Sequence, residues 1–94
     1  MTMSKAKLRL FSLSAYVQAA LKLAEYERDE DGGIVTLVPG VSGFFAQGET
    51  HEEARANLAE VIEGHILLAL QLGWDVPLIP GVAIEEQDVP AYTP

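Results

Sequence analysis

The chain contains no cysteine, which excludes disulfides, thiolate metal sites and cysteine nucleophiles together. Cations are scarce as well. Six Lys and Arg stand against 14 Asp and Glu, for a formal charge of -8 and a pI near 4.5. A duplex-binding surface needs clustered cations to displace phosphate counterions, so direct DNA binding is not expected. Long apolar runs are missing. The longest, Ile66 to Leu70, falls far short of the about 20 residues that cross a bilayer, so no membrane partner is expected. The opening MTMSKAKLRLFSLS has neither the apolar stretch nor the small-residue cleavage site of a signal peptide, which points to the cytoplasm. Aromatic residues make up 7%. Trp74, Tyr16, Tyr26 and Tyr92 are too scattered for a base-stacking platform and suit packing instead.

Histidine is nearly absent too. His51 and His65 are the two in the chain, and their separation on one helix matches no HExxH-like spacing, so no shared metal site is expected. His51 falls in the first helical turn and reads as solvated, while His65 falls on the core stripe and reads as a packed core histidine. The run RDEDGG gathers Asp29, Glu30 and Asp31 but lacks the spaced ligand pattern of a calcium loop; a solvated hairpin tip accounts for it. Ser12, Ser14 and Ser42 have no partner base nearby, and PGVSG is not a nucleophile elbow. Neither catalytic residues, metal ligands nor a cofactor site is expected, and an enzyme is not the expected class.

What the chain does contain is a hydrophobic fraction of 49% with 21% charge, enough to bury one core. Three segments follow: an N-terminal extension over 1–22, a core domain over 23–84 and a flexible tail over 85–94. In the extension, KLRLF suits an extra strand. Ser12 to about Leu21 suits a helix, because Leu13, Tyr16, Val17, Ala20 and Leu21 share a face. Leu23–Arg28 and Ile34–Val38 read as the arms of a hairpin turned by DEDGG, with Asp31, Gly32 and Gly33 at its tip. Pro39 ends the second arm, and FFAQG supplies a third strand of an antiparallel meander. Thr50 and Glu53 form a capping box that opens a helix of 22 residues ending at Gly73. The proline-rich continuation suits one short strand at VAIEE and a loose end.

The long helix poses the main physical question. Leu58, Val61, Ile62, His65, Leu68, Ala69 and Leu72 share one face and should cover the sheet. The opposite face starts with Glu53, Glu60 and Glu63 and turns apolar after Gly64, at Leu67 and Leu70. Either the first helix or the C-terminal arm covers that flank, or a second chain does, most simply by isologous helix packing. Leu67, Leu70, Ile66, Trp74 and Tyr16 are the candidate interface residues, and a homo-oligomer, dimer or tetramer, is expected.

The stretch from Tyr26 to Leu58 resembles the HicB-like antitoxin family. The pieces that carry the resemblance are the DEDGG hairpin at Asp29–Gly33, the loop from Pro39 to Gly43, and the pattern GxTxEEA at Gly48, Thr50, Glu52, Glu53 and Ala54, followed by GWDVPLIPG; together they cover roughly 23–81. The resemblance implies an α+β fold, a β-β-β-α-β partial ribonuclease-H-like core on one long helix, here with an extra N-terminal helix. It also implies a partner, a small basic HicA-like mRNA-cleaving toxin, which an acidic protein suits. The metal-binding carboxylates of ribonuclease H are not recognisable, and Glu25 and Glu27 read as a solvent edge. No C-terminal DNA-binding domain follows within the 94 residues. The rival expectation is a solitary oligomeric module of the same fold, structural or ligand-sensing, without a toxin.

Overall fold

Three consecutive short strands form the platform. In the computed structural model, which describes residues 4–82 and 85–91, β2 (Glu25–Arg28), β3 (Ile34–Leu37) and β4 (Phe45–Gly48) make an antiparallel sheet in the order β2-β3-β4. The expected meander is present. Its hairpin closes where Asp29 N–H donates to Gly33 O (2.7 Å) and Gly32 N–H to Asp29 O (3.0 Å). Gly32 takes φ +88°, a conformation in which a Cβ is strained.

One face of this sheet carries α2 (His51–Leu72), which packs against β3 and β4. Ahead of the meander, α1 (Leu13–Leu23) begins at Ser12, whose hydroxyl accepts from Ala15 N–H (3.1 Å), and packs against α2. A single core joins the layers through Tyr16, Val38, Phe44, Leu58, Ile62 and Ile66. Burying each of the larger aliphatic side chains contributes about 1.5–3 kcal/mol.

The buried face of α2 differs from expectation. Ala54, Leu58, Ile62, Ile66 and Ala69 are buried, whereas Val61, Leu68 and Leu72, assigned to the core from their spacing, are exposed. Four of the buried residues sit four apart, and each such step overshoots a full turn by about 40°. The contact band therefore spirals along the helix toward Ile66 and away from Leu68 and Leu72. With α1 as well as the sheet packed on α2, this wider band is buried.

The strand following α2 also departs from expectation. β1 (Ser4–Leu10) and β5 (Glu85–Ala91) form a separate antiparallel two-stranded sheet, pairing Ser4 with Ala91 through Leu10 with Glu85. The sequence pattern predicts at most one short strand at VAIEE and then a loose tail over 85–94. Instead, the register sets Lys7 opposite Asp88 and Arg9 opposite Glu86. Of the expected VAIEE strand, residues 83–84 lie outside the described residues, as do 92–94 and with them Tyr92. The molecule is long, 62 × 23 × 19 Å.

One buried group stands out. Thr36, on the helix-facing side of β3, is fully buried, and its hydroxyl has no hydrogen-bond partner. An unpaired buried hydroxyl forfeits its hydration without compensation. Thr36→Val should therefore stabilise the protein by about 1 kcal/mol, read as a higher urea midpoint at unchanged slope. A lower midpoint would mean that the hydroxyl is paired in solution.

Candidate functional site

Two motifs that are separate in sequence come together at one end of the sheet. The first is the hairpin tip. The second is the start of α2, where Thr50 is extended (φ -128°, ψ 165°) and its Oγ1 accepts from Glu53 N–H at 3.1 Å. Glu52 and Glu53 occupy the first turn, where the positive end of the helix dipole favours carboxylates. A shallow depression between the motifs is lined by Asp29, Asp31, Gln47, Glu49 and Glu53. Four carboxylates around one hollow make a strongly negative surface that attracts basic groups. Among the described residues no group of three or more His, Cys, Asp or Glu is arranged to hold a metal ion.

Gly48 makes this junction possible. A Cβ built there would lie within 3 Å of Ala54 N, Glu53 C (2.8 Å) and Ala54 Cα (2.9 Å). The strand end thus passes directly against the backbone of the first helical turn, an approach only glycine permits. Asn57 adds a link that sequence reasoning missed: its Nδ2 donates to Gln47 O at 2.7 Å, so α2 caps a carbonyl of strand β4. The available signal was an asparagine within a helix, where it is intrinsically disfavoured.

At the other end of α2 the expected apolar flank is present. Leu67 and Leu70 are 45% and 39% exposed, and Trp74 is exposed beyond Gly73, which ends the helix at φ 71°. Leu68 and Leu72 are exposed as well, on a different side of the helix. Ile66 and Tyr16, assigned to the same interface, do not belong to it: both are completely buried within the chain. Ile66 lies on the spiralling contact band. Tyr16 faces inward from α1, its ring edge-on to Phe44 at 6.4 Å and its hydroxyl donating to Pro77 O at 2.5 Å. That bond ties the proline-rich arm after α2 to α1. Burial pushes the phenol above its ordinary pKa, so it remains a donor.

The two histidines lie far apart, as the spacing indicated. His65 is partly buried with its ring edge-on to Phe44 at 5.2 Å, and His51 is exposed with its ring 5.6 Å from that of Tyr26. Among the described residues no helix is long and apolar enough to cross a membrane.

Comparison with known proteins agrees with this architecture. UPF0150 protein Ta0767 of Thermoplasma acidophilum is 46% identical over 39 residues, which is 42% of this chain and 56% of that protein. UPF0150 protein ssr1258 of Synechocystis sp. is 49% identical over 37 residues, covering 39% of this chain and 54% of its own. The chain thus spans about half the length of these curated relatives. The crystal structure of TTHA0281 from Thermus thermophilus matches with a TM-score of 0.62 and 31% identity, over 69% of this chain and 82% of that one. A family model described as UPF0150-like matches residues 15–77, from within α1 through the meander and α2 to the start of the proline-rich arm, leaving β1 and β5 outside. The chain belongs to the UPF0150-like family.

Proposed function

We propose that this protein is a HicB-type antitoxin: a cytoplasmic, non-catalytic binding protein that neutralises a small basic HicA-like mRNA-cleaving toxin. The observation that carries the reading is the carboxylate-lined junction of hairpin and helix, formed by Asp29, Asp31, Glu49 and Glu53 within the segment that the family model covers. A ribonuclease that grips RNA must present cations to phosphates. A protein of charge -8 competes for the same cations, and its field speeds encounter with them. We read the β2-β3-β4-α2 unit as the partial ribonuclease-H-like core of such antitoxins. Fold kinship with a nuclease does not carry its chemistry, which has to be argued from a site.

The protein acts as a homo-oligomer in this reading. From His65 to Trp74 the sequence has no Asp, Glu, Lys or Arg, so two copies of that flank of α2 meet without charge repulsion.

Co-expression with a small basic HicA-like protein tests the proposal. The pair should co-purify, growth arrest by that protein should be relieved, and the complex should weaken as salt rises. Failure to co-purify together with unrelieved arrest would remove the antitoxin reading.

A further inference from the structure

The sheet has two faces, and α2 covers only one. Tyr26, Thr36 and Ala46 form a register row on the covered side, where Thr36 and Ala46 are buried. The next row, Glu25–Leu37–Phe45, has all three residues exposed, and so are Glu27 and Gln47 of the row Glu27–Val35–Gln47. Phe45 is 58% exposed and Leu37 40%, directly paired across β3 and β4. The same two side chains line a shallow hollow with Pro39 and Val41 in the β3–β4 loop. A phenylalanine and a leucine side by side on a sheet face, continuous with an apolar hollow, are the makings of a docking anchor.

We propose that this open sheet face, anchored on Phe45 and Leu37 and bordered by Glu25 and Glu27, is the surface on which the basic protein partner sits. The inference rests on the antitoxin reading and adds the place. Charge selects the occupant. Carboxylates edge the apolar pair on β2, and the hairpin tip beyond them adds Asp29, Glu30 and Asp31. A second copy docked face to face here would bring its own Glu25 and Glu27 into the same acidic field, which costs affinity. The uncharged flank at Leu67 and Leu70 has no such penalty, so self-association belongs there and the basic partner on the sheet. Nucleic acid and anionic lipid are repelled from an acidic face by the same field. A partner with Lys or Arg around an apolar spot gains from both: long-range attraction draws it in, and burial of the aromatic ring holds it.

The test uses the full chain and, as probe, a catalytically silenced small basic HicA-like protein, with binding followed by surface plasmon resonance. Phe45→Glu should weaken binding by about 30-fold or more, the scale of losing a central aromatic anchor. Glu25→Lys combined with Glu27→Lys, at exposed positions that do not threaten the fold, should slow association about tenfold at low salt, with a smaller effect at high salt. Glu60→Lys on the exposed side of α2 should bind within twofold of the original protein, a change small against the about tenfold effect of steering charges. Circular dichroism confirms that each variant is folded. If the original chain binds the probe and the sheet variants bind equally well, the partner sits elsewhere and the site is wrong while the antitoxin reading stands. If the original chain does not bind the probe at all, the reading and the site fall together.

Discussion

Gly48→Ala is expected to cost about 3 kcal/mol or more of folding stability, the range reserved for backbone clashes and other severe disruptions. The added methyl would meet the backbone at Glu53 and Ala54, not a side chain that could swing aside. Relief requires the end of β4 to lift from the sheet or the first turn of α2 to shift. Either movement disturbs the bond from Glu53 N–H to Thr50 Oγ1 and the carbonyl of Gln47 held by Asn57. The same substitution at Gly64 should act in the opposite direction. A Cβ there meets nothing within 4 Å, the site lies in the interior of α2, and alanine is favoured over glycine in a helix by about 1 kcal/mol. Urea unfolding of the two variants should bracket the parent protein, with Gly48→Ala far below and Gly64→Ala slightly above. A Gly48→Ala variant that unfolds near the parent midpoint would show that the strand–helix approach is looser than described.

The second large effect contrasts two neighbours on α2. Ile66 is completely buried and Leu67 is nearly half exposed. Ile66→Glu places a carboxylate in the core beside apolar neighbours, where desolvation is uncompensated. The variant should lose more than about 3 kcal/mol and populate unfolded chain at room temperature. Leu67→Glu should leave the circular dichroism spectrum and the fold intact. Its effect should fall on assembly, shifting the mass seen by light scattering from an oligomer toward the 10.2 kDa chain. An original protein that is monomeric at high micromolar concentration would overturn the assignment of that flank to a second copy. Unfolding by Leu67→Glu would instead mean that the flank is covered within the chain.

Much of the local structure could be read from the residues because single residue types decide it. Asp and Gly at the tip, Pro39 after the second arm, Thr50 at the helix start and Gly73 at its end each carry their geometry with them, and each element they delimit is present. Which side of α2 faces inward could not be read as easily. A helical wheel treats the buried stripe as straight. The actual band turns with the i+4 ridge and is widened by α1, so that Ile66 is buried and Leu68 and Leu72 are exposed. Tyr16 was misplaced for a related reason. An aromatic ring on a short helix gives no hint of its partner, and Pro77 lies 61 residues away. Of the candidate site, the acidic hairpin and the helix cap were evident separately. Their meeting in one hollow depends on Gly48, whose role shows only when the backbone of α2 is seen beside it.

The pairing of Ser4 with Ala91 joins nearly the two extremes of the described chain. Closing that circuit is the most non-local event in the fold, and its entropic cost comes due before any of its contacts form. The meander and α2, built from near neighbours in sequence, can assemble without it. The ribbon should therefore zip last and open first, and amide hydrogens of β1 and β5 should exchange well ahead of those in α2. While open, each strand offers an unpaired edge to its counterpart in another molecule, so at high concentration strand exchange between copies competes with closure within one.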